Sequence, residues 1–193
     1  MNTRSSSSKA AKAPSPRKLD VAALARDGGR LEGEWVAADL ERLAESAAPE
    51  APARDWPAVS WAAQGELRTP RGGESQVWMH LQARARVALS CQRCLRPVQE
   101  DLEVSRWFHF VRDEALAAEL DADSEDEVLA LTRTLDLQEL VEDELLLALP
   151  LVPRHERCPE ALPLPAEEPL AADEERPKPF AALAALKKKQ TPQ

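Results

Sequence analysis

Residues 75–111 read SQVWMHLQARARVALSCQRCLRPVQEDLEVSRWFHFV, and their alternation decides the fold class. Val77, Met79, Leu81, Ala83, Ala85, Val87, Leu89 and Cys91 take every second position, with Trp78, His80, Gln82, Arg84, Arg86 and Ser90 between them. Successive side chains on a strand point to opposite faces, so this is one long strand with an apolar and a polar face. A second run has the opposite parity, with Val98, Leu102, Val104, Phe108 and Phe110 on one face and Glu103, Ser105, Trp107 and His109 on the other. The two runs form an antiparallel hairpin through CQRCLRP. Their apolar faces coincide only if paired residue numbers sum to an odd value. Pairing Cys91 with Val98 meets this condition and sets Gln82 opposite Trp107 and His80 opposite His109.

Outward from the hairpin, Asp20 caps a short helix over Val21 to Arg26, Gly28-Gly29 ends it, and a short strand runs from Arg30 to Trp35. Leu40, Leu43 and Ala44 recur at helical spacing, and the segment from Ala47 to Pro57 carries three prolines, which make it a loop. Asp113 to Glu127 is acidic and rich in small residues. A cation site is one reading of Asp121, Asp123, Glu125, Asp126 and Glu127; without a glycine to turn a calcium loop, a solvated loop is the reading adopted. Asp136 then caps a helix through Leu137, Leu140, Val141, Glu144 and Leu145, which Pro150 stops. The fold class is therefore α+β, an antiparallel sheet built around the hairpin with a few helices on its apolar face.

The ends differ in composition. Residues 1–18 are basic and Ser-rich, a composition shared with organelle transit peptides but equally that of a tail without fixed structure, which needs no further assumption. Residues 19–158 form the expected domain. Residues 159–193 are rich in Pro, Glu and Ala and contain one short apolar block, Phe180 to Leu186, followed by Lys187, Lys188 and Lys189. A formal charge of −9 excludes a protein that coats nucleic acid by bulk electrostatics, so any RNA contact is local. Three cysteines with no apolar export segment fit a reducing, cytoplasmic setting better than a disulfide-stapled secreted fold.

Two sets of residues carry candidate chemistry. Cys91 and Cys94 have the CxxC spacing that places two thiolates on one tetrahedral metal, and HERC adds His155 and Cys158, completing a Cys3His set suited to zinc. The alternatives are cysteines that pack as small apolar groups and a redox dithiol. On the polar face of the hairpin, Trp78, His80, Arg84, Arg86, Trp107 and His109 suit an RNA strand or another partner, the arginines meeting phosphates and the rings stacking on bases. The alternative is that a helix or the C-terminal block covers this face. Enzyme readings lack a nucleophile, base and orienting group at recognisable spacing. Glu142 and Asp143 are read as the solvated edge of an amphipathic helix.

Three segments, LSCQRCLRPV at 89–98, LDLQELVEDELLLALPLVPRHERC at 135–158 and PKPFAALAAL at 177–186, together resemble the YceD-type large-ribosomal-RNA-subunit accumulation proteins, a bacterial family with chloroplast relatives. The likeness runs from about Leu19 to Leu186. It implies a non-enzymatic role in the synthesis, processing or stability of large-subunit (23S) ribosomal RNA, with precursor ribosomal RNA or a large-subunit ribosomal protein as partner. Some relatives carry additional cysteines near the C-terminus that look like a metal knuckle, where this chain has only Cys158. An RNA-processing nuclease or modifying enzyme with an unrecognised site is the alternative function.

Overall fold

The computed structural model of the chain describes residues 15–159. Five strands, β1 (Arg30–Trp35), β2 (Val59–Arg68), β3 (Gln76–Ser90), β4 (Pro97–Val111) and β5 (Glu127–Ala130), form one sheet in the order β1-β2-β3-β4-β5. Every neighbouring pair is antiparallel except β4 with β5. A parallel neighbour needs a crossover, and the helix α3 (Glu114–Asp121) supplies it between those two strands. The class is the expected α+β, with the long hairpin β3–β4 at its centre.

The hairpin register differs from the expected one by two residues. Leu89 faces Val98, His80 faces Trp107 and Trp78 faces His109, so the paired numbers sum to 187 rather than 189. A slide of two keeps every side chain on its face, which is why the apolar pattern fixes parity and not register. The closing turn makes the difference: the Cys91 N–H donates to the Arg96 carbonyl and the Leu95 N–H to that of Cys91, with Leu95 in the left-handed region at φ 60°.

The apolar face is covered by α1 (Val21–Arg26), α2 (Glu41–Glu45) and α4 (Leu137–Leu147). Leu19, Leu40, Leu43, Met79, Leu81, Phe108, Leu137, Val141 and Leu145 are all fully buried in this core. Asp20 caps α1 by accepting from the Ala23 N–H, and Gly28 at φ 56° terminates it as the sequence suggests. The α1 backbone lies directly on β2, since a Cβ at Gly65 would come within 2.5 Å of the Ala25 nitrogen. Asp136 caps α4 through the Gln138 and Glu139 N–H groups. A two-bond bridge between Leu19 and Leu135 ties the start of the described chain to the segment entering α4.

Three expectations need correction. The segment from Asp113 to Glu127 is not a loop throughout. Asp113 caps α3 by accepting from Leu116, and Val111, Leu116, Ala117 and Val128 make a second small core there. The helix is amphipathic by one alanine and one leucine only, a weak pattern among so many acids. Glu142 is not on a solvated edge. It is 8% exposed and accepts from the Arg42 and Leu43 N–H groups at 2.7 and 3.1 Å and from the Arg42 guanidinium at 3.0 Å, while Asp143 takes another nitrogen of the same guanidinium. The carboxylate of α4 thus caps α2, whose own N-cap, Leu40, has no side-chain acceptor. Finally, Pro16–Lys18 form a turn of 3-10 helix although assigned to the tail. The C-terminal block, Phe180 to Leu186, lies outside the described residues.

Candidate metal centre and sheet face

The hairpin turn and the chain after α4 meet at one corner of the sheet. Residues 148–158 run back from the end of α4, and the Gln92 N–H donates to the Pro153 carbonyl at 2.9 Å, which brings His155 and Cys158 beside the CxxC turn. The four ligand atoms of Cys91, Cys94, His155 and Cys158 lie within 4.8 Å of one another. The Cys91 and Cys158 sulfurs are 4.0 Å apart, and the Cys94 sulfur is 3.4 Å from His155 Nδ1. Tetrahedral zinc with Zn–S of about 2.3 Å and Zn–N of about 2.0–2.1 Å sets sulfurs roughly 3.8 Å apart and sulfur and nitrogen roughly 3.6 Å apart. Both observed separations agree with a single tetrahedral centre. At 4.0 Å the Cys91 and Cys158 sulfurs are too far apart for a disulfide, and all three cysteines are free.

The surroundings prepare these atoms as ligands. His155 Nε2 lies 3.0 Å from the Pro97 carbonyl oxygen, which can only accept, so the ring proton sits on Nε2 and the Nδ1 lone pair faces the sulfurs. Burial pushes the Cys91 thiol up, but N–H groups of Cys94, Arg93 and His155 and the His155 ring outweigh it and hold the thiol at about 5. These donors favour the Cys91 thiolate over the thiol. Cys94 goes the other way. An N–H from Arg96 favours its thiolate, yet burial and the sulfurs of Cys158 and Cys91 raise it. Thiols crowded so closely resist full ionisation, and a divalent cation removes that conflict. Arg93, inside the CxxC turn, donates to the Cys158 sulfur at 3.3 Å and to the His155 and Glu156 carbonyls at 3.1 and 3.4 Å. The residues present fit a structural zinc, and all four expected ligands are brought together.

The sheet face opposite the core gathers the other expected set. Trp78 stacks on His109 and His80 on Trp107, each pair with centroids 4.6 Å apart. Both pairs sit directly opposite in the register, so the stacks follow from the two-residue slide. Arg68 of β2 lies over both tryptophans, 4.3 Å from Trp78 and 4.1 Å from Trp107. Its role was hidden because β2 itself has little apolar contrast. The four rings are half-buried by one another and by Arg68, and burial lowers the His109 pKa. Among the described residues, α3 packs at only one end of this face, where Val111 and Val128 lie. Arg84 and Arg86 are exposed but each holds a carboxylate across the hairpin, Glu103 at 2.6 Å and Asp101 at 2.6 Å. The aromatic half of the expected surface is thus assembled, while its two cations are already paired. Beside it, Glu32, Glu34, Ser60, Ala62, Gln82 and Arg84 line a shallow depression of about 420 Å³.

A family model described as large ribosomal RNA subunit accumulation protein YceD matches residues 79–187, which include most of the hairpin, the cysteine turn and α4. The large ribosomal RNA subunit accumulation protein YceD of Haemophilus influenzae (strain ATCC 51907 / DSM 11121 / KW20 / Rd) is 35% identical over 164 residues, 81% of this chain and 87% of the relative. The chain belongs to the YceD family. No solved structure matches it. YceD membership was legible in three segments of the sequence, two of which form the corner with the cysteines. No helix among the described residues is long and apolar enough to cross a membrane.

Proposed function

We propose that this YceD-family chain is a non-enzymatic factor for the accumulation of large-subunit (23S) ribosomal RNA. It acts in the cytoplasm on the synthesis, processing or stability of that RNA by binding precursor ribosomal RNA or a large-subunit ribosomal protein. The observation that carries the reading is the 35% identity, across 81% of the chain, to a relative named for this role. Zinc held by Cys91, Cys94, His155 and Cys158 is structural in this reading. It would supply four bonds that clamp residues 153–158 onto the hairpin turn, and with all four positions filled by protein it is closed to substrate. The stacked row of Trp78, His80, Trp107 and His109 supplies flat ring surface for the partner. Arg42 occupies Glu142 and Asp143, so these carboxylates hold α2 against α4 rather than standing free for acid–base work.

Depletion of the protein from growing cells tests the role. The ratio of large- to small-subunit ribosomal RNA should fall, and tagged protein should sediment with large-subunit precursors or free rather than with translating ribosomes. An unchanged ratio, or equal enrichment on polysomes, contradicts it. Incubation of the purified protein with ribosomal RNA and magnesium should leave the RNA intact; turnover that survives repurification would favour the nuclease alternative.

A further inference from the structure

Resting on the structural-zinc reading above, we propose that the cysteine corner is a peroxide-responsive switch: a hydroperoxide oxidises Cys158, Cys91 closes a disulfide onto it, and the zinc is released. The two sulfurs are already 4.0 Å apart and have to close to about 2.05 Å. Their settings differ. Cys91 is fully buried at the end of β3, where its N–H and its carbonyl are both bonded within the turn. Cys158 is partly exposed and belongs to residues 148–158, which form no helix or strand and are tied to the turn by the Gln92–Pro153 bond and by Arg93. A segment of that kind yields the roughly 2 Å that the bond needs more readily than a strand end does. Cys94 is placed otherwise, with its sulfur 3.4 Å from His155 Nδ1 and that ring anchored on the Pro97 carbonyl. An accessible thiolate next to a buried resolving one turns oxidation into a disulfide instead of an irreversible acid.

As a zinc ligand each cysteine is a thiolate. The Cys158 thiolate attacks the terminal oxygen of the hydroperoxide; an S–O bond forms, the O–O bond breaks, and the departing alkoxide, or hydroxide from hydrogen peroxide, takes a proton from water. Arg93, 3.3 Å from this sulfur, stands where it can donate to the oxygen that leaves. The Cys91 thiolate then attacks the sulfur of the sulfenic acid. The S–S bond forms, the S–O bond breaks, and the hydroxide that leaves is protonated. The two sulfurs give up two electrons in all, and the peroxide accepts both. Cys94 and His155 alone remain as donors, and two donors do not hold zinc as four do. The disulfide joins residues 67 apart and keeps the chain after α4 on the hairpin turn, so the oxidised protein loses its metal without losing the clamp. Exchange with a dithiol reverses the change.

The test treats the full zinc-bearing chain with hydrogen peroxide, follows zinc release with a chromophoric chelator, counts the remaining thiols and maps disulfides by mass spectrometry after alkylation. One zinc should leave per chain as free thiols fall from three to one, with Cys91 joined to Cys158 and Cys94 alkylated. A dithiol with added zinc should restore both counts. The oxidised chain should melt above reduced chain stripped of zinc by a chelator, because only the oxidised one is still linked at the corner. Cys94→Ser, which weakens the metal site but spares the reacting pair, should still form the 91–158 disulfide. Zinc that stays bound with three thiols intact, a disulfide between Cys91 and Cys94, or sulfinic acid at Cys158 without a disulfide would overturn the switch while leaving the zinc reading in place. Protein that is metal-free as purified removes the zinc reading and the switch with it.

Discussion

Replacing Glu142 with Ala removes an acceptor that the structure uses to start a helix. The carboxylate serves the N–H groups of Arg42 and Leu43, and Leu43 is fully buried, so its donor finds no water once the side chain is gone. An unsatisfied buried N–H costs about 1–3 kcal/mol, and the less deeply placed Arg42 donor costs the lower part of that range, for a total of about 2–4 kcal/mol. The Arg42 guanidinium, still paired with Asp143, returns to water and adds little. In a domain of this size each kcal/mol lowers the melting temperature by about 2–4 °C, so Glu142→Ala should melt about 4–16 °C below the parent. Asp143→Ala, which removes only an exposed partner, should cost less than about 1 kcal/mol. Urea titrations followed by circular dichroism give both values. If Glu142→Ala unfolds within about 1 kcal/mol of the parent, Glu142 does not hold α2 against α4, and the reasoning fails.

Leu95→Gly should be neutral to stabilising by up to about 1 kcal/mol, because the left-handed backbone at this exposed turn position penalises a side chain; clear destabilisation in urea would argue against that turn geometry. Burial, opposed by Arg106 and helped by Glu127 and Asp143, raises the Glu144 pKa. The folded state therefore holds this proton more tightly, and the stability it contributes is full below the unfolded pKa of about 4.3 and lost as pH rises through the folded value. Glu144→Gln should gain on the parent in urea midpoint as pH rises from about 4 towards neutrality, and a constant difference would count against it. Trp78→Ala with Trp107→Ala should lower retention on ribosomal precursors in gradients with little loss of folded signal; unchanged retention would retire the sheet face as a contact surface.

Much of this was legible because alternation and capping are local signals. The runs of β3 and β4, the caps Asp20 and Asp136 and the stop at Gly28 need only neighbouring residues to be read. Register was not legible, since a two-residue slide leaves the apolar pattern intact and only the turn from Cys91 to Arg96 distinguishes the choices. β2 was missed because its core-facing positions are Val59, Trp61, Ala63 and Gly65, where the alanine and glycine look like breaks; Gly65 is small because α1 lies on it. β5 is four residues at the end of an acidic run. Arg106 has core parity on β4 yet is charged, and its partners Glu144 and Glu127 come from α4 and β5, which no local pattern could supply. The metal ligands were readable by type, but their convergence depends on the chain after α4 turning back to Gln92.

The Cys3His corner anchors the account, and elemental analysis of the full chain, purified without chelator and passed through gel filtration, tests it most directly. One zinc per chain should be found. Cys94→Ser should lower metal content and melting temperature together, since a structural site is coupled to folding. Protein that is metal-free, and whose melting temperature does not move when zinc is added, would contradict it.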